Sequence, residues 1–320
     1  MSEQEQAAAM IPEEEAAGGK KKKKKEKVKR PLGMEILSWV LTLLCAFAAA
    51  MLIRSVIFEP VRVDGQSMDD TLADKEIMLV SKFDYSATWL CLPWQSDNAS
   101  QQAPRITLGN PNFLDVVICR YPARGAVNFV KRIVGMPGDT VELREGYLYV
   151  NGEQVEAEKD LINSEYRVRG ASDGSAFGPY RVPMRGDILT ISGSSSVLQF
   201  QLNGEEWNRK KTCLIAKDED GKQLKIYSKK ANESSLNGHQ EEEVTVISWD
   251  GKDWTSANWG EIIPDLTERT FTVDENYYFL MGDHRNNSND SRSVGAVERS
   301  MIIGHVRRVV FPFNHWRGVK

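Results

Sequence analysis

The chain has 320 residues, of which 41% are hydrophobic and 27% are charged, and its formal net charge is −4. This composition is typical of a globular protein, and the length allows one large domain or two smaller ones. Basic residues concentrate near the N-terminus, whereas the chain after Ile53 is mildly anionic. We therefore expect no nucleic-acid partner, because nucleic-acid-binding proteins carry basic charge on their folded part.

The N-terminal region combines a lysine run with an apolar stretch. Residues 1–35 lack an apolar pattern and contain six consecutive lysines, Lys20 to Lys25, which predicts a disordered tail. Residues 36–53 carry no charge and nearly cross a hydrocarbon core of about 30 Å, so we predict a transmembrane helix over 36–55. The lysines predict a cytoplasmic tail and an extracytoplasmic remainder. A cleaved signal peptide and a buried core helix are the competing interpretations.

Beyond this helix the apolar residues alternate with period two, which predicts strands. Residues 141–150 alternate and run into Asn151-Gly152, and residues 197–202 precede Asn203-Gly204; both dipeptides are hairpin signals. No long stretch has helical periodicity, so we predict a mostly β fold. Further strand-like runs lie at 77–80, 116–120, 187–191, 244–247, 277–281 and 302–311.

Cysteine and histidine spacing argues against metal and redox sites. The four cysteines, Cys45, Cys91, Cys119 and Cys213, form no CxxC pair, and the four histidines form no HExxH motif. We therefore expect no metal and no cofactor. Cys45 lies in the apolar run, so at most one disulfide can form among the other three.

Three short segments are rich in residues that carry chemistry: 65–72 with Ser67, 129–139 with Lys131, and 282–292. Each alone fits a turn or a polar loop. Lys131, however, shares a strand face with Phe129 and Ile133, which predicts burial. A lysine has an ordinary pKa of about 10.4, and a base at neutral pH needs about 7 to 8. Burial without a carboxylate partner can disfavour the charged amine by about 4 kcal/mol, which lowers the pKa by that difference. The alternative is a surface lysine on an edge strand, whose pKa would not be lowered in this way.

Together the three segments resemble the boxes of bacterial type I signal peptidases, which read roughly SMxPTL, KRxxGxPGD and GDNRxxSxDSR. The order is that of the family, after a single apolar helix, and the resemblance runs from about residue 30 to the C-terminus. The matching residues are Ser67-Met68, Thr71-Leu72, Lys131-Arg132, Gly135, Pro137-Gly138-Asp139, Gly282-Asp283, Arg285, Ser288 and Asp290-Ser291-Arg292.

The resemblance implies a membrane-bound serine endopeptidase of the plasma membrane that cleaves signal peptides from secreted preproteins. Ser67 is then the nucleophile and carries the acyl group of the acyl-enzyme. Lys131 is the general base and later the general acid. Ser288 orients the lysine, and the backbone at Ser67 and Gly65 binds the oxyanion. Gly282 and the ion pairs Arg132–Asp283 and Asp290–Arg292 are supporting. The implied pocket for Ala-x-Ala sites is lined by Val61, Val63, Met68, Leu72, Phe129 and Val130, each of which also fits plain core packing.

The implied architecture is a catalytic β domain of residues 56–140 and 273–320 with an inserted β subdomain of residues 141–272. Two departures from the family pattern stand out: Asp70 replaces the proline of the serine box, and Gly65 lacks the hydroxyl that some members carry there. The group Trp89, Leu90, Leu92 and Trp94 fits either a membrane contact or a local hydrophobic cluster beneath a loop.

Three alternatives compete with this interpretation. A self-cleaving Ser/Lys protease of the repressor type requires a DNA-binding domain where this chain has a lysine tail and an apolar helix. A penicillin-binding SxxK enzyme requires Lys where Asp70 stands. A catalytically impaired paralogue acting as a membrane-anchored scaffold is supported by Asp70 alone.

Overall fold

The structure is a computed structural model that describes residues 32–88, 105–121, 127–167, 176–194, 197–209, 212–230, 242–249, 254–257 and 268–319. The chain divides into two compact units, Met1–Phe47 and Ala48–Lys320. The lysine run and the group from Trp89 to Trp94 lie outside the described residues.

The first element is helix α1, Leu32–Val56. Within the part of the chain that the structure describes, it is the one helix long and apolar enough to cross a membrane. Two of its hydroxyl side chains are satisfied by the helix itself, because Ser38 donates to the Glu35 carbonyl and Thr42 donates to the Ser38 carbonyl, each at 2.8 Å. Such bonds lower the cost of placing a hydroxyl in an apolar surrounding.

One of the two eight-stranded sheets that the structure describes concerns the site. Its strands are β1 Phe58–Arg62, β2 Ile77–Ser81, β5 Val116–Arg120, β6 Asn128–Gly135, β19 Tyr277–Met281, β20 Val297–Glu298, β21 Ile302–Phe311 and β22 Arg317–Gly318. They are antiparallel in the order β1-β2-β21-β5-β6-β19-β20, with β22 paired to β21. Every residue of β5 and β19 is buried, which explains their nearly continuous apolar sequence.

Two further antiparallel sheets fill residues 140–273. The smaller has the order β10-β7-β8-β9 and the larger the order β13-β12-β11-β18-β14-β15-β16-β17. Their strands are β7 Thr140–Arg144, β8 Tyr147–Val150, β9 Glu153–Gln154, β10 Phe177–Arg181, β11 Ile188–Ser194, β12 Val197–Leu202, β13 Glu205–Glu206, β14 Leu214–Lys217, β15 Gln223–Lys230, β16 Glu242–Trp249, β17 Trp254–Ala257 and β18 Arg269–Val273. A separate pair joins β3 Ser86–Thr88 to β4 Arg105–Thr107.

The alternating run of residues 141–150 is a hairpin rather than one strand. Glu145 (φ 53°) and Gly146 (φ 80°) both adopt the left-handed conformation and join β7 to β8. This conformation suits the two-residue turn of a hairpin, but Glu is not a turn residue, so the sequence pattern missed it. The two Asn-Gly dipeptides join β8 to β9 and β12 to β13, as their sequence indicates.

Within the ranges that the structure describes, the helices beyond α1 are short. They are α2 Glu156–Leu161, α3 Ser291–Val294 and the 3-10 turns Ser164–Tyr166, Arg285–Asn287, Arg299–Met301 and Phe313–His315. The prediction of a mostly β chain with an N-terminal apolar helix is therefore confirmed. One of three core clusters lies beneath the segment that carries Ser67; its buried residues are Val63, Met68, Leu72, Met78, Val80, Val116, Ile118, Val306 and Val309.

Candidate active site

Ser67 lies in the connection between β1 and β2, within residues 64–72, here called the serine turn. Met68 and Leu72 are 2% and 0% exposed and fix the turn to the core beneath it. The backbone closes on itself, because Met68 O accepts from the N–H groups of Thr71 and Leu72 at 3.1 and 2.8 Å. The serine side chain is thus held on a rigid turn and stays half-buried.

Lys131 comes from β6 and contacts Ser67 directly. Its Nζ donates to Ser67 Oγ at 2.6 Å and to the Val130 carbonyl at 2.8 Å, and the side chain is almost entirely buried. Burial lowers the pKa of Lys131 because it penalises the charged amine; the acidic groups Asp290 and Asp283 act in the opposite direction. Among the residues that the structure describes, no carboxylate contacts the amine.

Arg132, the next residue of β6, points to the opposite face of the strand and is fully buried. Its Nε and Nη2 donate to the two carboxylate oxygens of Asp283 at 2.9 and 2.7 Å. The same carboxylate accepts from Thr71 Oγ1 at 2.5 Å. This network joins the lysine strand, the serine turn and the segment at 282–290, here called the aspartate loop.

Gly282 opens the aspartate loop where it passes close to the nucleophile. A Cβ at this position would lie 2.2 Å from Ser288 Oγ and 2.4 Å from the Ser67 carbonyl oxygen, so only glycine fits. Its N–H donates to Asp290, which also accepts from Arg292 Nε at 2.9 Å. Burial alone would raise the pKa of Asp290, but Arg292 and the Gly282 N–H hold it below its usual range.

Ser288 is half-buried beside Gly282, and the structure does not join it to the lysine. Its Oγ has no well-formed hydrogen bond within the described residues, but it lies close enough to Asp290 to help lower the pKa of that carboxyl. The two bonds of Lys131 Nζ go instead to Ser67 and to the Val130 carbonyl. Ser288 therefore lies beside Asp290 and makes no hydrogen bond to the lysine amine.

The two residues expected to bind an oxyanion differ in whether their backbone N–H already donates a hydrogen bond. Gly65 N–H donates to Asp74 Oδ1 at 2.9 Å, so this donor is engaged within the serine turn, and its part in oxyanion binding stays a prediction. Gly65 has φ 112°, a value that favours glycine. In the described part of the chain, no acceptor takes the Ser67 N–H.

The six expected pocket residues divide by burial. Val63, Met68 and Leu72 are buried in the core beneath the serine turn, which leaves them little surface for a ligand. Val61, Phe129 and Val130 are only partly buried and flank the Ser67–Lys131 pair in sequence.

Sequence reasoning missed His284 and Arg317. The backbone N–H of His284 donates to Ser67 O at 3.2 Å, and its ring Nδ1 lies 3.0 Å from Gln66 O. Arg317 donates to the Thr71 carbonyl at 2.8 Å and pairs with the buried Glu76. The position of His284 inside the third box was the available signal; nothing in the sequence linked Arg317 to the turn.

Asp70, which stands where the family has proline, has φ 76°. Proline is restricted to φ near −65°, so this backbone conformation excludes it. The departure from the family box is thus matched by the local geometry of the turn.

Two of the cysteines that were open to a disulfide, Cys119 and Cys213, are free and buried, and Cys91 lies outside the described residues. Burial raises the pKa of each of the two buried thiols to about 12. Within the described ranges, no group of three or more His, Cys, Asp or Glu side chains is arranged to hold a metal ion.

Comparison with known proteins gives consistent matches. The family model described as signal peptidase, peptidase S26, matches residues 36–311. Signal peptidase I P of Bacillus subtilis subsp. natto is 33% identical over 150 residues, 47% of this chain and 69% of the relative. Signal peptidase I of Pseudomonas aeruginosa is 29% identical over 243 residues, 76% of this chain and 57% of the relative. Signal peptidase I of Buchnera aphidicola is 25% identical over 264 residues, 82% of this chain and 72% of the relative.

Proposed function

Because the chain belongs to the peptidase S26 family of signal peptidases and is a peptidase, we propose that it removes signal peptides from secreted preproteins by a Ser67/Lys131 dyad. The observation that carries this proposal is the 2.6 Å contact between Ser67 Oγ and the buried Lys131 Nζ. A buried amine without a carboxylate partner favours the neutral form that a base requires.

The reaction begins with proton transfer from Ser67 Oγ to the neutral Lys131 amine as Oγ attacks the carbonyl carbon before the cleavage site. The carbonyl π electrons move to oxygen, and the oxyanion accepts from the Ser67 backbone N–H, whose donor is unused among the described residues. Collapse of this intermediate breaks the C–N bond. The leaving amine takes its proton from the Lys131 ammonium, which leaves an ester on Ser67 and a neutral lysine.

Hydrolysis of the ester repeats these steps with water. Lys131 takes a proton from the water as its oxygen attacks the ester carbonyl, and it returns the proton to Ser67 Oγ as the C–O bond breaks. The free enzyme is thereby restored with no cofactor and no metal.

The remaining predicted site residues support this dyad. The Arg132–Asp283 pair joins the strand of Lys131 to the serine turn through Thr71. Ser288, whose buried hydroxyl lies beside Asp290, is proposed to orient the lysine amine after a side-chain rotation.

The substrate class follows from the family and from the partly buried residues beside the dyad. Val61, Phe129 and Val130 present shallow apolar surface, which suits the small side chains of Ala-x-Ala cleavage sites. Helix α1 is proposed to anchor the chain in the lipid bilayer of the plasma membrane. The lysine run places the N-terminus in the cytoplasm under this proposal, with residues from about 56 onward on the outer face as the catalytic domain and its insertion at 141–272.

The test is cleavage of a preprotein with an Ala-x-Ala site by the full chain in detergent, with mass spectrometry of the new N-terminus. Ser67→Ala and Lys131→Ala should each lower kcat/KM by about 10³-fold or more. Lys82→Ala is the matched control, because Lys82 is also buried but pairs with Glu59 at 2.7 Å; it should retain activity.

Full activity of either dyad variant would refute the proposed dyad. A wild-type chain that binds the preprotein without cutting it would refute signal-peptide removal and favour a scaffold.

A further inference from the structure

The inserted region contacts the aspartate loop at two neighbouring residues, His284 and Arg285. The ring of Tyr166 stacks on the His284 imidazole, with centroids 4.0 Å apart and planes inclined by 28°. Glu158, which is fully buried in α2, lies 2.7 Å from Arg285 Nη2. Both contacts come from residues 156–167, here called the brace.

The brace is itself held firmly. Arg167 follows Tyr166 and is buried; it donates to Glu158 Oε2 at 3.0 Å and to the carbonyls of Glu158 and Gly146. Asn163 caps the 3-10 turn that carries Tyr166 by accepting from the Glu165 N–H at 3.0 Å. The Tyr166 ring is therefore presented by a fixed backbone.

His284 connects the brace to the serine turn. Its backbone N–H binds Ser67 O, and its Nδ1 lies 3.0 Å from Gln66 O and 3.3 Å from Asp69 Oδ2. A carbonyl oxygen only accepts, so Nδ1 carries the proton and the tautomer is assigned by its partners. One residue thus holds the two carbonyls that flank the Ser67 N–H.

We propose that Tyr166 is a positioning residue for catalysis, which acts by fixing the His284 imidazole and through it the orientation of the serine turn. The proposal rests on Ser67 being the nucleophile. It predicts an effect on kcat with little on KM, because Tyr166 fixes the turn rather than binding the peptide.

The experiment measures kcat, KM and melting temperature of the full chain in detergent with the preprotein substrate. Tyr166→Ala should lower kcat about fivefold to tenfold at an unchanged KM and melting temperature, and Tyr166→Phe, which keeps the stacking face, should restore wild-type kcat. Tyr149→Ala is the matched control, because Tyr149 is a half-buried tyrosine of β8 whose ring contacts Arg144; its kcat should equal that of wild type.

A double-mutant cycle with His284→Asn separates positioning from general stability. Asn keeps a side-chain donor but loses the stacked ring, so Tyr166→Ala should cost nothing further in that background. Fully multiplicative effects, an unchanged kcat in Tyr166→Ala, or a loss that Tyr166→Phe fails to restore would overturn the proposal. Failure of the proposed function is distinguishable, since the wild-type chain would then cut nothing.

Discussion

The titration of Lys131 should appear in two independent measurements. Below its pKa the amine is protonated, so each further pH unit removes about nine tenths of the remaining base and lowers kcat/KM about tenfold. Burial lowers this pKa in the folded protein, so the activity limb should lie below the ordinary value for a lysine.

The same shift has a signed effect on stability. With the folded pKa lowered, the unfolded chain binds more protons between the folded and the unfolded pKa, so the free energy of unfolding rises with pH across that window. The slope for one proton is at most about 1.4 kcal/mol per pH unit, and it vanishes below the folded pKa and above about 10.4. Lys131 therefore lowers the free energy of unfolding most at low pH, where its amine is protonated and cannot act as a base.

The assay compares wild type with Lys131→Met by denaturant unfolding at several pH values, because other titrating groups cancel in the difference. We expect Lys131→Met to be the more stable protein at about pH 6 and its advantage to shrink as the pH rises. The pH at which the difference begins to shrink should match the bend in wild-type kcat/KM. A flat activity profile, or a stability difference independent of pH, would refute the neutral-lysine reasoning.

Substitutions at three further positions test the supports of the site. Asp283→Asn leaves the buried charge of Arg132 uncompensated and should lower the free energy of unfolding by about 3 to 5 kcal/mol in denaturant titration; a loss below about 1 kcal/mol would contradict the buried pair. Asp70→Gly should stabilise the chain by about 1 kcal/mol, because glycine adopts the left-handed conformation of this position without steric strain. Asp70→Pro should lower both the melting temperature and kcat, because proline cannot adopt this conformation. A proline variant equal to wild type would contradict the positive φ at this position. Gly282→Ala should lower kcat at least tenfold, since its Cβ would meet the nucleophile's carbonyl oxygen at 2.4 Å, while the control Gly318→Ala, at an open position, should match wild type.

Much of the fold was predictable because period-two patterning is a local signal. The strand at 116–120 has the predicted bounds, and those at 277–281 and 302–311 do as well. The hairpin at Glu145-Gly146 was missed because its turn uses a residue without turn preference. The order of strands in the sheets could not be predicted, because it depends on contacts between residues far apart in the chain.

For the site, the sequence boxes indicated Ser67 and Lys131, whose side chains lie 2.6 Å apart in the structure, but they did not indicate how the backbone donors are shared. Gly65 was expected to help bind the oxyanion, yet its N–H donates to the side chain of Asp74. No pattern in the sequence predicts this contact between residues nine positions apart. The contact of His284 with the serine turn joins residues more than 200 positions apart, so only the folded chain reveals it.

The strand order of the sheet that carries the candidate site has a consequence for biosynthesis. Strand β21, residues 302–311, lies between β2 and β5. Until it is made, no strand joins the β1–β2 hairpin to the β5–β6 pair within the sheet. A nascent chain that ends before Ile302 therefore holds Ser67 and Lys131 on parts of the chain that no common sheet joins, and peptidase activity should arise only after residues 302–311 have been translated.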